Sequence, residues 1–172
     1  VGAETLSKFV NWHDRNTCII FADGAGAAVF GEVEQGYGML SFDLGADGSG
    51  ATTIEIPGGG SKHPADQESI DNHMHCLHMN GKETFRFAVK AMGSTVMKSL
   101  ERAGLQKEDI DYLIPHQANI RIIESAAKRL HLPMDKVFVN IEKYGNASAA
   151  SIPIAMAEAY QSGKLKKGEI IA

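Results

Sequence analysis

The hydrophobic positions divide the chain into a first part with strand-like segments and a second part where strands and helices alternate. Asp-Gly-Ala-Gly at residues 23–26 predicts the turn of a hairpin. Pro-Gly-Gly-Gly at residues 57–60 interrupts the pattern, and the polar residues 61–72 predict a loop. Runs of apolar and β-branched residues predict strands at 17–21, 27–33, 37–44 and 51–56.

Three helices are predicted in the second part, where apolar residues recur every three or four positions. The first runs from Gly81 to about Ala103 and ends at Gly104, a common residue after a last helical turn. The third covers residues 152–160 and tolerates Pro153, which falls in its first turn. Between them, a second helix is predicted with an inner face formed by Ile120, Ile123, Ala127 and Leu130.

Short apolar segments separate these helices and predict further strands. They lie at residues 111–114, ended by Pro115, and at 137–140, with a loop at 144–147. Strands that alternate with helices predict a parallel or mixed sheet with covering helices, which is the α/β class. No interdomain linker is visible, so a single domain over residues 1–172 is expected.

The composition is that of a globular protein, with 44% hydrophobic and 22% charged residues. The net charge of −4 disfavours a general nucleic-acid binder. No apolar run approaches the roughly 20 residues of a membrane span, and no signal-peptide pattern is present. Two cysteines, Cys18 and Cys76, favour a reducing cytoplasm over a disulfide framework. The lack of an initiator Met and the apolar run at 170–172 predict a fragment.

Two loops that follow predicted strands carry candidate catalytic chemistry. His116 lies directly after Pro115, where the loops of an α/β sheet converge, and an imidazole there can donate a proton or a hydrogen bond. Asn146 lies in the second loop, and its amide offers N–H donors that stabilise charge on an oxygen. Simpler interpretations stay open. Asn119 is also a suitable cap for the second predicted helix, and Ser148 or Ser151 for the third.

Two competing patterns are weaker. His73, His75, Cys76 and His78 are potential zinc ligands. In a strand, however, the first two would point away from the last two, so no metal site is predicted. The Gly-x-Gly at residues 24–26 lacks a third glycine and precedes a strand, so it predicts no dinucleotide loop.

Taken together, the two loops closely resemble those of the type III β-ketoacyl-acyl-carrier-protein synthases. The resemblance rests on residues 111–119 and 144–151, with further matches at 16–27 and 79–83, and it extends along the whole chain. It implies the C-terminal half of a thiolase-like α/β fold, with a mixed five-stranded sheet and covering helices, and αβαβα layers in the complete enzyme. Ala22 and Ala147 depart from residues that are common in the family, beside the catalytic pair.

The resemblance also implies an activity. In this family a cysteine accepts the acyl group of an acyl-CoA, commonly acetyl-CoA, and malonyl-acyl carrier protein then loses CO₂ and attacks that acyl group. The product is a 3-ketoacyl-acyl carrier protein, which initiates fatty acid biosynthesis. His116 and Asn146 match the two side chains that assist decarboxylation. A cytoplasmic homodimer without a cofactor, metal, nucleic acid or membrane partner is expected.

Further residues match family positions around the substrate. Gly81, Phe85, Ala118 and Asn119 match the tunnel for the CoA or pantetheine arm. The expected binding surface for the acidic acyl carrier protein consists of Gln117, Ala118, Asn119, Ile120 and Arg121, extended by Arg86, Lys128 and Arg129.

The resemblance also indicates what these residues lack. Neither cysteine has the family's nucleophile setting, and a final Gly-rich segment is missing, so the fragment alone is expected to be inactive. A related polyketide-type starter enzyme and a catalytically incomplete binding half stay open as alternatives. The starter acyl group is not determined by these residues.

Overall fold

A computed structural model describes all 172 residues of the chain. Four short strands are formed: β1 (Gly2–Thr5), β2 (Asp23–Gly26), β3 (Ile54–Glu55) and β4 (His78–Met79). Five α-helices accompany them: α1 (Gln67–Asp71), α2 (Gly81–Ala103), α3 (Ile120–Leu130), α4 (Ile141–Tyr144) and α5 (Ser151–Gln161). Single 3₁₀ turns lie at Leu6–Lys8, Gly48–Gly50, Lys107–Asp109, Met134–Lys136 and Ser148–Ala150.

The first hairpin prediction is wrong in its details. Residues 23–26, predicted as a turn, form β2, which pairs antiparallel with β1 from Gly2↔Gly26 to Thr5↔Asp23. Residues 17–21, predicted as a strand, are mainly turns, because the Asp14 carboxylate accepts hydrogen bonds from the Asn16 backbone and the Thr17 hydroxyl. Such local side-chain bonds offer the backbone an alternative to a sheet ladder.

The predicted strands at 27–33 and 37–44 do not form. Their apolar residues Val29, Phe30 and Phe42 are 101%, 82% and 61% exposed, so these segments have no packed neighbour that would stabilise pairing. Side chains instead attach this region to α2, where Arg102 pairs with Asp43 at 2.8 Å. The predicted strand at 51–56 shortens to β3, and the loop prediction at 61–72 is wrong for the residues of α1.

The helices agree more closely with the sequence. α2 begins after Asn80, whose side chain accepts a hydrogen bond from the Glu83 backbone, and it ends at Gly104 with a left-handed φ of 69°. α3 and α5 also lie where they were predicted. On α3, Ile123 is fully buried, but Ile120 is 39% exposed at the first turn, so its assignment to the inner face was wrong.

The core lies mainly in residues 100–172. One cluster joins α2, α3 and the segments around Leu113 and Val137, and a second joins Ile114 and Phe138 to α5. Of the 27 buried residues, the six that precede Leu100 are Val10, Thr17, Ser69, Cys76, Leu77 and Gly93.

The sheet is less continuous than the five predicted strands. Besides the pairs β1–β2 and β3–β4, three parallel bridges occur, at Leu113↔Val137, Tyr112↔Ile171 and Phe21↔Asn146. The segment at residues 112–113 lies between two partners and makes one bridge to each, to Ile171 and to Val137. The strand count of five is thereby corrected, whereas the mixed α/β character is observed. None of the helices combines the length and apolar character that crossing a membrane requires.

Candidate active site

His116 lies at the end of the extended segment that pairs with Val137, between buried Pro115 and buried Gln117. Its Nδ1 is 2.5 Å from Oγ of Ser151, the first residue of α5. Burial lowers the pKa of His116 below its ordinary value, because the charged imidazolium loses its solvation. The ring is therefore held neutral, with one nitrogen protonated, and its Nε2 makes no hydrogen bond to the protein.

Gln117 holds the backbone on both sides of this histidine. Its side-chain amide donates to the Pro115 carbonyl at 2.9 Å and to the Phe138 carbonyl at 3.1 Å. Its carbonyl accepts from the Asn140 backbone N–H at 3.0 Å. Only 1% of Gln117 is exposed, so the expectation that it contacts a carrier protein is wrong. A buried amide that satisfies three backbone groups has a structural role instead.

Asn146 approaches the same helix from the other loop. Its backbone N–H donates to the Ile20 carbonyl at 3.0 Å, and its own carbonyl accepts from Ala22 at 2.9 Å. Its Oδ1 accepts from the Ser148 N–H at 3.0 Å, which orients the amide. The Nδ2 group makes no hydrogen bond to the protein. Every buried side-chain nitrogen or oxygen of the chain does have a partner, so Nδ2 is not fully buried. That N–H group is therefore accessible to a ligand.

Both candidate side chains lie beside the start of α5. Ser151 contacts the His116 ring, and Asn146 precedes it by one 3₁₀ turn, Ser148–Ala150. Neither Ser148 nor Ser151 caps α5 with its side chain, so that simpler interpretation is wrong. An imidazole nitrogen and an amide N–H without protein partners lie at this helix start, and N–H donors in such a position can stabilise negative charge on a substrate oxygen. Ser151 was missed as a functional residue, because its sequence position suggested only a possible helix cap.

The expected tunnel residues divide into two groups. Gly81 and Phe85 lie on the exposed first turns of α2, with Phe85 37% exposed. Ala118 and Asn119 are partly buried beside His116, and the Asn119 side chain accepts from the Arg121 backbone N–H at 2.9 Å. Asn119 therefore caps α3, as its simpler interpretation predicted.

The basic residues of the expected carrier-protein surface are exposed. Arg121, Lys128 and Arg129 lie on α3 and form no salt bridge. The aliphatic stem of Arg129 packs against Gly93 of α2, where a Cβ atom would lie only 2.7 Å from it. Arg86 is exposed on α2, but it forms a salt bridge with Glu83 at 3.1 Å, so the neighbouring negative charge offsets its own.

The histidine–cysteine turn, defined here as residues 73–78, corrects the argument against a metal site. Most of it is a turn, with His73 at a left-handed φ of 53°, so the opposite faces of a strand do not apply. Ligand atoms of His73, His75 and Cys76 lie within 4.8 Å of one another. This spread is looser than the roughly 3.5 Å between donors of tetrahedral zinc. The histidine of this turn whose ring is oriented by a hydrogen bond is His78, through Nε2 to the His73 carbonyl, and it is not among these three residues. No metal site is therefore assigned.

Neither cysteine resembles an activated nucleophile. Burial raises the pKa of the Cys76 thiol, which disfavours the reactive thiolate. Cys18 is partly exposed and lies in a turn, where its backbone N–H donates to the Asp14 carbonyl. Neither lies at the start of a helix of more than a few turns, where a thiolate would be stabilised.

The chain is similar to proteins of known family. Residues 100–172 match the family described as 3-Oxoacyl-[acyl-carrier-protein (ACP)] synthase III C terminal, and residues 1–48 match 3-Oxoacyl-[acyl-carrier-protein (ACP)] synthase III. A beta-ketoacyl-[acyl-carrier-protein] synthase III of Caldanaerobacter subterraneus subsp. tengcongensis is 59% identical over 171 residues, which is 99% of this chain and 52% of that protein. The chain thus spans about half the length of the curated relatives it matches.

Solved structures agree with this similarity. The β-ketoacyl-[acyl-carrier-protein] synthase III of Thermus thermophilus superposes with a TM-score of 0.88 at 44% identity, covering 99% of this chain and 52% of that one. A priming β-ketosynthase from the R1128 polyketide biosynthetic pathway has a TM-score of 0.74 at 26% identity, covering 98% and 50%. The thiolase-like α/β fold class predicted from the sequence is confirmed.

Proposed function

The chain belongs to the 3-oxoacyl-[acyl-carrier-protein] synthase III family, and we propose that the intact protein carrying it is an acyltransferase that initiates fatty acid biosynthesis. The proposed reaction is a decarboxylative Claisen condensation of an acyl-CoA, commonly acetyl-CoA, with malonyl-acyl carrier protein. One observation supports it above the others: His116 Nε2 and Asn146 Nδ2 both lie beside the start of α5 and have no hydrogen-bond partner in the protein.

The two donors would act while the malonyl group loses CO₂. The bond between the carboxylate carbon and the α-carbon breaks, and its electron pair passes into the thioester as an enolate. Hydrogen bonds from His116 Nε2 and Asn146 Nδ2 to the thioester oxygen would stabilise that charge. The neutral state of His116 suits this role, because burial of its ring disfavours the imidazolium. The α-carbon then attacks the acyl-enzyme thioester, and the cysteine leaves as thiolate.

The acyl-accepting cysteine would come from a part of the intact protein outside these 172 residues. The pKa of the Cys76 thiol is raised, and Cys18 does not lie at the start of a helix. Residues 1–172 would form a single C-terminal thiolase-like domain, inactive without its complement and expected in a cytoplasmic homodimer. The proposed chemistry needs no cofactor, because both thioesters are substrates.

The acyl carrier protein would dock on the exposed basic side of α3. Arg121, Lys128 and Arg129 have no acidic partner there, so an acidic carrier would be attracted by complementary charge. Ile120 is also exposed at that end of the helix. The pantetheine arm would then pass Ala118 and Asn119 to reach His116, with Gly81 and Phe85 on the other side.

A polyketide-type starter enzyme is the second candidate. The similarity to the R1128 priming β-ketosynthase supports it, since that protein covers nearly the whole chain. Its 26% identity is far below the 59% of the Caldanaerobacter synthase, so fatty acid initiation is the better supported function.

Separate substitutions of the two donors in the intact protein test the proposal. His116→Ala and Asn146→Ala should each slow the release of CO₂ from malonyl-acyl carrier protein by about 10²- to 10³-fold, the loss expected for one oxyanion donor. Transfer of the acetyl group from radiolabelled acetyl-CoA onto the protein should stay near the parent rate. His63→Ala, in an exposed loop, serves as the control. Near-normal decarboxylation in both variants would show that the roles are misassigned.

A further inference from the structure

Ser151 is the residue that connects the candidate histidine to the fold. It begins α5 and is only 3% exposed. Its Oγ lies 2.5 Å from His116 Nδ1 and 3.3 Å from the Gln117 backbone nitrogen. These partners are 35 and 34 positions away in the sequence, so the contact depends on the tertiary fold.

The two contacts determine where the hydroxyl proton goes. A backbone N–H can only donate, so Ser151 Oγ accepts from Gln117. The hydroxyl has one proton of its own, and the only acceptor within reach is His116 Nδ1. If Nδ1 instead carried the ring proton, the buried Ser151 hydroxyl would be left without an acceptor, which is unfavourable.

The backbone around this contact has little freedom to shift. The Gln117 side chain is bonded to Pro115, Phe138 and Asn140, and this network holds the N–H that Ser151 accepts. On the other side, Ser151 belongs to the first turn of a helix that packs on the second core cluster through Ala155. The serine oxygen and the imidazole are thus positioned from two separate elements.

We propose that Ser151 is a positioning residue: its hydroxyl donates to His116 Nδ1 and holds the neutral imidazole in the tautomer that carries its proton on Nε2. This inference rests on the proposed function for its catalytic meaning, since only that tautomer offers an N–H to the thioester oxygen. Without Ser151 the ring can place its proton on Nδ1, turn Nε2 into an acceptor and lose the interaction with the enolate.

The tautomer is measured directly by ¹⁵N NMR of the histidine rings in the intact protein, with His116 assigned through its loss in His116→Ala. The parent should show the Nε2–H form, and Ser151→Ala should shift His116 toward a mixture of tautomers. Ser151→Thr keeps the hydroxyl and should retain the parent form. Ser162→Ala, at the other end of α5, is the control and should change nothing, because its hydroxyl bonds only to Ala159.

The kinetic counterpart is decarboxylation of malonyl-acyl carrier protein. Ser151→Ala should lower kcat about tenfold, the equivalent of one hydrogen bond, with little change in KM, and Ser151→Thr should recover most of it. An Nδ1–H form in the parent, or an unchanged tautomer in Ser151→Ala, overturns the inference even if the alanine variant is unstable, because the parent spectrum suffices. If the tautomer shifts as expected but decarboxylation does not depend on His116, the positioning contact stands and the proposed function fails.

Discussion

Two histidine-containing regions of this chain differ in how they are supported. The loop around His116 is buried, and hydrogen bonds from Ser151 and Gln117 hold its ring and backbone. The histidine–cysteine turn presents three exposed imidazoles with Cys76 buried beside them, and only the His78 ring is hydrogen-bonded, through Nε2 to the His73 carbonyl at 3.1 Å. The turn has more potential ligands, yet the loop has the better defined geometry.

The difference shows that the number of reactive side chains is a poor guide to a site. An imidazole acts on a substrate or a metal only when its ring is oriented and its protonation state is set by its surroundings. The His116 ring is oriented by Ser151, which lies 35 positions away in the sequence, whereas the His73 and His75 rings form no hydrogen bond. Experiments that compare the two regions therefore test this distinction.

The largest expected contrast is in stability. Ile123 is fully buried in the cluster that includes Leu113, close to the His116 loop, whereas Ile70 is 50% exposed in α1 beside the turn. In the intact protein, Ile123→Ala should lower the free energy of unfolding by about 2–5 kcal/mol, and Ile70→Ala by less than about 1 kcal/mol. Chemical denaturation measures both. Equal losses would mean that the turn is as well packed as the loop.

A smaller effect is expected in the pH dependence of stability. The pKa of His116 is lowered in the folded protein, so the unfolded chain binds more protons as the pH falls below its ordinary value of about 6.5. The contribution of the neutral ring is complete above that pH and is lost progressively on acidification through the lowered pKa. Unfolding free energies measured from about pH 5 to about pH 7.5 should therefore rise less steeply in His116→Gln.

The matched control for this titration is His75→Gln in the exposed turn. His75 is exposed and lies outside the His116 loop, so this variant shows how much of any change comes from replacing a histidine elsewhere in the chain. A slope that flattens in His75→Gln and not in His116→Gln would reverse the comparison of the two regions.

The smallest effect is expected for metal. After dialysis against micromolar zinc and then buffer, the intact protein should retain far less than one zinc per chain, and EDTA should leave its melting temperature unchanged. Atomic absorption and a thermal melt measure these quantities. One zinc per chain that disappears in His73→Ala or Cys76→Ser, but not in His63→Ala, would establish a site in the turn and refute its description as unsupported.

The helices were the part of the fold that the sequence predicted well. α2, α3 and α5 follow from apolar spacing, and residues such as Asn80 and Gly104 mark the ends of α2. The strand predictions of the first part were less successful. Apolar stretches such as 27–33 satisfy a strand pattern, but pairing requires a neighbour, and these residues have none in the structure. The Asp14 turn also displaced a predicted strand.

The site was predicted in part. His116 and Asn146 were chosen from their loops and from the family resemblance, and their roles stay predictions until the substitutions are made. The burial of Gln117 was not foreseen, because a polar residue next to a candidate catalytic histidine has no local signal of being inside. Ser151 was considered only as a possible cap.

The three longer helices, the family resemblance and the choice of the two candidate donors all follow from the sequence alone. Helical hydrogen bonds join residues four positions apart, and capping involves neighbouring residues, so both can be read from a short stretch of chain. Only the three-dimensional structure shows that Ser151 contacts His116 across 35 positions, that the Gln117 side chain is buried, and that His78 is the histidine of the turn whose ring is hydrogen-bonded. Such contacts depend on how distant elements pack together, and local patterns carry no information about that packing.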